Sequence, residues 1–217
     1  MNRKPARSKS LPVMRVFLFA VVLLTGILLL LPAAQEKHRL PPLSADATVL
    51  AFGDSLTHGT GANAGESYPE VLAMLTGRKV INAGVPGETT ADGLSRLPRV
   101  LEETDPDLVI LCLGGNDFLR KHPHAMTRAN LERMINMVRA EHIPLVLVAV
   151  PEPALFSGSA PVYRKLAEEM KLPLENEIVN DVLRDSDLKS DPIHPNAAGY
   201  RKIAQALAEL LKKSGAI

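Results

Sequence analysis

Four short segments carry residue types that could act together on a carbonyl carbon. Ser55, in Gly53-Asp54-Ser55-Leu56, is a hydroxyl nucleophile if it stands at an exposed strand end with a base beside it. His194 follows Asp191 by three residues in Asp191-Pro192-Ile193-His194-Pro195. An aspartate so placed can accept from one imidazole nitrogen, fix the tautomer and leave the other nitrogen free to take a serine proton. Pro192 and Pro195 stiffen the loop that would hold the pair. Asn116, after Gly114-Gly115, offers a side-chain amide to a developing oxyanion. The backbone N–H groups of Ser55 and of Gly87, at the end of the segment Gly84-Val85-Pro86-Gly87, offer the same. Nucleophile, acid–base pair and oxyanion donors are the parts needed for attack on an ester.

Each segment has a plain structural alternative. Gly, Asp and Ser are common turn residues, so Gly53-Asp54-Ser55 could be only a strand-to-loop turn, and Gly114-Gly115-Asn116-Asp117 only a tight one. Asp191 and Pro195 could do no more than punctuate a helix start. Asp117 is expected to hold its loop by bonding its own backbone and is given no chemical role. Thr57 stands where a Gly-x-Ser-x-Gly elbow would have its last glycine, so the serine is not in that setting. No second His or Cys at ligand spacing accompanies His194, which argues against a metal site. The single cysteine, Cys112, lies in the apolar run 108–113 and reads as a core hydrophobe rather than a thiolate. The four segments acquire force by occurring together.

Elements that would position them follow from periodicity. Short apolar runs at 48–52, 80–82, 108–113 and 145–150 alternate with helical patterns at 68–76, 89–103, 127–141, 162–170 and 197–213. This is the pattern of an α/β fold, a parallel sheet with helices on both faces. Leu131, Met134, Ile135 and Val138 mark one apolar helix face and belong to the core. The segments with chemistry fall just after predicted strands or in the last loop. That is the crevice beyond the carboxyl ends of the strands, where open α/β sheets bind ligands.

The chain has 217 residues, room for one substantial domain after a leader. Residues 1–34 hold Arg3, Lys4, Arg7, Lys9 and Arg15 and no acid; without these five charges the net of +1 becomes −4. A mildly acidic domain with no basic stripe is not built for nucleic acid. Residues 16–31 form an unbroken run of 16 apolar or weakly polar residues behind the basic segment. Its length lies between a signal-peptide core and a spanning helix. No clean Ala-x-Ala precedes Gln35, so a retained membrane anchor is favoured over a cleaved signal, and either places the domain outside the cytoplasm, periplasmic or secreted. The expected division is a leader at 1–34, a stiff Pro41-Pro42 spacer at 35–46 and the catalytic domain at 47–217.

The four blocks, in this order, resemble those of the SGNH, or GDSL, family of serine hydrolases. Segments 51–57, 82–90 and 113–117, with Gly93-Leu94-Ser95-Arg96-Leu97, are most similar to its bacterial arylesterase, acyl-CoA thioesterase and lysophospholipase group. The resemblance implies a three-layer flavodoxin-like sandwich and no metal or organic cofactor. It implies Ser55 as nucleophile, His194 as general base and then acid, Asp191 as its orienting carboxylate, and an oxyanion hole of Ser55 N–H, Gly87 N–H and the Asn116 amide. Gly87 rather than Gly84 takes the family's glycine position, because it directly precedes Glu88-Thr89-Thr90. Pro192 departs from the pattern, many relatives having glycine there, and the segment 151–161 is shorter and richer in proline than in the thioesterases.

The implied activity is hydrolysis of acyl esters, with a small-molecule or lipid ester as substrate. Phe118, Leu119, Leu155 and Phe156 are candidates for an acyl pocket or for core anchors. A carbohydrate or cell-wall O-acetylesterase on the same fold is the alternative, though the absence of Trp leaves little for a sugar platform. A tethered, non-catalytic binding module is the alternative of a different class.

Overall fold

Five strands, β1 (Thr48–Gly53), β2 (Lys79–Gly84), β3 (Leu108–Cys112), β4 (Leu145–Val148) and β5 (Leu174–Glu175), form one parallel sheet in the order β2-β1-β3-β4-β5. The structure is a computed structural model and describes residues 1, 38–152 and 158–217. The chain divides into two units, Met1–Glu36 and Lys37–Ile217, and this sheet belongs to the second. The leader expected at 1–34 lies, apart from Met1, outside the described residues. Among the described residues no helix is long and apolar enough to cross a membrane.

The helices are α1 (Ser55–His58), α2 (Tyr68–Thr76), α3 (Thr90–Thr104), α4 (Gly115–Leu119), α5 (His124–Ala140), α6 (Pro161–Met170), α7 (Ile178–Arg184) and α8 (Ala197–Ser214), with a 3-10 turn at Ser186–Leu188. Packing of α2 on α8, and of α3 on α5 and α5 on α6, covers both faces of the sheet and makes the three-layer α/β/α sandwich. The central strands are accordingly apolar throughout: Val49 to Phe52 of β1 and all five residues of β3 are buried.

Helix starts are set by local chemistry. Ser67 Oγ and N both donate to Glu70 Oε2, at 2.7 and 3.1 Å, at the head of α2. Thr89 does the same with Asp92 at the head of α3, at 2.6 and 3.1 Å. Asn196 Oδ1 accepts from Gly199 N to open α8.

All four predicted strands start within one residue of the observed ones, and the five long helices lie within three residues of their expected bounds. The run at 145–150 ends as a strand at Val148, because its partner β5 is only two residues long. β5, α1, α4, α7 and the 3-10 turn are not signalled by periodicity, since none spans enough residues to show one. The residues read as a spacer are laid against the domain where they are described. Leu40 N and Leu43 N donate to Ser214 O and Ala216 O at the end of α8, and Leu40 is buried.

In a sheet of order 2-1-3-4-5 the chain departs in opposite directions from β1 and β3, which opens a crevice between their carboxyl ends. Ser55 follows β1 by two residues, and Asn116 follows β3 by four.

Candidate active site

Asp54 turns the chain out of β1: its Oδ1 accepts from Leu56 N at 3.0 Å, capping the single turn of α1 and lifting Ser55 onto its first position. The expected loop after Ser55 therefore begins as a helical turn. Tyr200 of α8 donates to Thr60 O at 2.8 Å and ties the far end of this segment to the last helix.

The histidine loop comes to meet it. Asp191 Oδ1 accepts from Ile193 N at 2.8 Å and from His194 N at 2.9 Å, while Oδ2 pairs with His194 Nδ1 at 2.7 Å. The other ring nitrogen, Nε2, lies 3.0 Å from Ser55 Oγ. Burial opposes the charge on Asp191, but the hydrogen bonds from His194 and Ile193 outweigh it and hold the carboxyl below the usual range. Pro192 lacks an N–H to offer and sits inside this turn without disturbing it.

Asn116 is carried on α4, and its Nδ2 donates to Glu88 O at 3.0 Å and to Asp54 Oδ2 at 3.4 Å. Ser55, His194 and Asn116 line one cleft together with Asp54, Gly115 and Pro151 and the apolar side chains of Leu56, Leu119, Val150, Leu183 and Ile193. Gly87 is not among the residues lining that cleft. It reaches the site through its neighbours: Arg120, just beyond α4, donates to Gly87 O at 2.9 Å, and the next carbonyl, Glu88 O, takes the Asn116 bond. Gly87 has φ +81°, a conformation that favours glycine. Among the described residues no acceptor is found for the N–H of Ser55 or of Gly87.

Some expectations need correction. Asp117 does not bond its own loop through its side chain. It is fully buried, and its carboxylate accepts from Thr90 N at 2.8 Å and Thr90 Oγ1 at 2.6 Å, fastening α4 to the head of α3. Gly114 makes room for a protein group: a Cβ there would lie 2.4 Å from the Tyr163 hydroxyl, which donates to Leu113 O. Phe118 is buried edge-on to Tyr163 and His124, whereas its neighbour Leu119 lines the cleft. Leu155 and Phe156 lie outside the described residues. Cys112 is buried in the core, and burial pushes its thiol well up.

Two supports lie within the quoted segments but are given no role by the sequence reading. Arg96 makes a double hydrogen bond to Glu88, both contacts 2.6 Å, lies 4.1 Å from the centre of the Phe52 ring and donates to Ala83 O. This bolts the Gly87 loop to α3 and β2. Asp54 is the second, buried with no cation partner among the described residues and in contact with both Leu56 N and Asn116.

Residues 51–202 match the GDSL-like Lipase/Acylhydrolase family. The chain is 31% identical over 180 residues to an arylesterase of Vibrio mimicus, covering 78% of this chain and 90% of that one. It is 32% identical over 177 residues to the thioesterase 1/protease 1/lysophospholipase L1 of Escherichia coli (strain K12), covering 78% and 85%. Its structure is similar to that of the psychrotrophic esterase EstA from Pseudoalteromonas sp., solved with monoethylphosphonate as inhibitor, with a TM-score of 0.67, 27% identity and coverage of 77% and 98%. The chain belongs to the GDSL-like lipase/acylhydrolase family of ester-cleaving serine hydrolases.

Proposed function

We propose that the chain hydrolyses carboxylic esters of acyl chains through a Ser55-His194-Asp191 triad, at the cleft between the ends of β1 and β3. The observation that carries this reading is the continuous relay from Ser55 Oγ to His194 Nε2 at 3.0 Å and from His194 Nδ1 to Asp191 Oδ2 at 2.7 Å. Ser55 Oγ bonds to the carbonyl carbon while His194 Nε2 takes its proton. The oxyanion accepts from the N–H groups of Ser55 and Gly87 and from Asn116 Nδ2. Collapse expels the alcohol, which His194 protonates, and leaves the acyl group on Ser55. Water then attacks the acyl-enzyme with His194 again as base, releasing the acid and restoring the serine.

The apolar walls formed by Leu56, Leu119, Val150, Leu183 and Ile193 suit an acyl chain. The basic and apolar leader supports a place outside the cytoplasm. Acyl-CoA is scarce there, so esters of fatty acids, lysophospholipids among them, are favoured over thioesters. Retention of the leader as an anchor would keep the enzyme beside such lipids.

Hydrolysis of p-nitrophenyl esters from acetate to palmitate, with Ser55→Ala as control, tests this reading. Serine-dependent turnover peaking at medium or long chains is expected, and Ser55→Ala should lose about 10⁴-fold or more in kcat. A sharp optimum at acetate would instead indicate an O-acetylesterase. No serine-dependent turnover from folded protein would indicate a binding module. Asn116→Ala should cost about 100- to 1000-fold in kcat with little change in KM.

A further inference from the structure

We propose that Asp54 is a positioning residue for the oxyanion step: its carboxylate and the Glu88 carbonyl together hold the Asn116 side chain with its nitrogen, not its oxygen, at the oxyanion site. The inference rests on the triad reading above. An asparagine amide has two ends of nearly equal shape, of which only the nitrogen can donate. Its orientation is therefore decided by its neighbours. Both neighbours of Asn116 Nδ2 are acceptors, Glu88 O at 3.0 Å and Asp54 Oδ2 at 3.4 Å. Turning the amide over would set its oxygen against two other oxygens. The bond to Glu88 commits one N–H. The longer contact to Asp54 leaves the second only weakly held, so it can be shared with an arriving oxyanion while the amide stays in place.

Asp54 cannot drift from this position, because its other oxygen, Oδ1, accepts from Leu56 N at 3.0 Å. One carboxylate thus spans the crevice from the helix that carries the nucleophile to the side chain that stabilises the oxyanion. It sets the separation of the two, a geometry to which rate is acutely sensitive.

Both oxygens of Asp54 serve as acceptors, so a proton on either would break one of the two links. The carboxyl is buried and within electrostatic reach of the carboxylates of Glu88 and Asp117, the Cys112 thiol and the hydroxyls of Tyr68, Tyr163 and Tyr200. Arg96, the cation beside Glu88, is taken up by that carboxylate, and His194 lines the same cleft as Asp54. Burial first, then the two neighbouring carboxylates, push Asp54 up to about 7. Catalysis should therefore weaken on the acid side as Asp54 takes a proton and Asn116 is released, separately from the protonation of His194.

The test is the pH dependence of kcat and KM for a soluble p-nitrophenyl ester, measured on the full chain. It compares wild type, Asp54→Asn, Asn116→Ala, the double variant and Ser55→Ala. Asp54→Asn keeps an oxygen for Leu56 N but turns an NH2 group towards Asn116. It should lose about 10- to 100-fold in kcat, with KM within about threefold. The double variant should be no worse than Asn116→Ala by more than about threefold, because Asp54 acts through Asn116. The acid limb should show two ionisations in wild type and one in Asp54→Asn and in Asn116→Ala. Losses that multiply in the double variant, or an Asp54→Asn enzyme with wild-type kcat, would overturn the proposal. Should Asp54→Asn not fold, the Asn116→Ala profile decides: one ionisation supports the proposal and two refute it. Turnover that survives in Ser55→Ala would sink the triad reading itself, whereas serine-dependent turnover with multiplying losses removes only the role of Asp54.

Discussion

At the scale of single residues, Asp191 does two jobs with one carboxylate: Oδ1 shapes the turn by accepting from Ile193 N and His194 N, and Oδ2 holds the imidazole. Asp191→Asn can keep the turn but offers either a donor or a weaker acceptor to His194 Nδ1. It should lower kcat about 10³- to 10⁴-fold with the fold intact, as wrong-tautomer variants of such triads do. Steady-state kinetics with a circular-dichroism control checks this. Asp54 leaves a mark on stability as well. Its carboxyl is held near 7 in the fold against 3.8 for the free group. Between these values the folded chain keeps a proton that the unfolded chain has released, so stability falls as pH rises through that window. Asp191, Glu70 and Asp92 are held below the usual range. Their stabilisation is present above the carboxylate range and lost only as pH falls through it, so they do not mask this trend. Thermal melts from pH 5 to 8 should show wild-type Tm falling by about 5 °C or more relative to Asp54→Asn; parallel curves would contradict the assignment.

At the scale of elements, the loop between β2 and α3 that carries Gly87 is held by contacts from outside itself, above all Arg96 on Glu88. Glu88 is buried, so Arg96→Met would leave its carboxylate without a partner and cost about 3–5 kcal/mol in urea unfolding. Arg96→Lys keeps the charge but not the two-pronged geometry and should recover only part of that loss. These ties explain what could and could not be read from the chain. Long elements announce themselves: the 3.6-residue spacing of Leu131, Met134, Ile135 and Val138 marks the buried face of α5. The ends of β1 and β3, after which Ser55 and Asn116 follow, were equally legible. The partners were not, because Thr90 meets Asp117 across 27 positions and Asp54 meets Asn116 across 62, separations that no local pattern encodes. The same holds for Phe118 and Leu119. They are adjacent in sequence, yet the single turn of α4 sends one into the core and the other to the cleft.

At the scale of the whole domain, parallel strands separate two poles. The cleft lies beyond the carboxyl ends of β1 and β3. Residues 40–43 are fastened to the end of α8 beside the amino ends of the strands, where β1 begins. The described residues that line the cleft, and those that form the buried core, belong to the unit Lys37–Ile217. Removal of residues 1–36 should therefore leave kcat/KM on a soluble ester within about twofold, a comparison that enzyme assays of the two lengths would make directly. The central claim is that Ser55 is the nucleophile and that His194 activates it. Intact-mass and peptide mass spectrometry after treatment with an organophosphate ester of p-nitrophenol measures this most directly. A single phosphoryl adduct on Ser55 is expected, lost in Ser55→Ala and strongly slowed in His194→Ala. An adduct on another residue, or labelling of Ser55 at full rate without His194, would contradict the account.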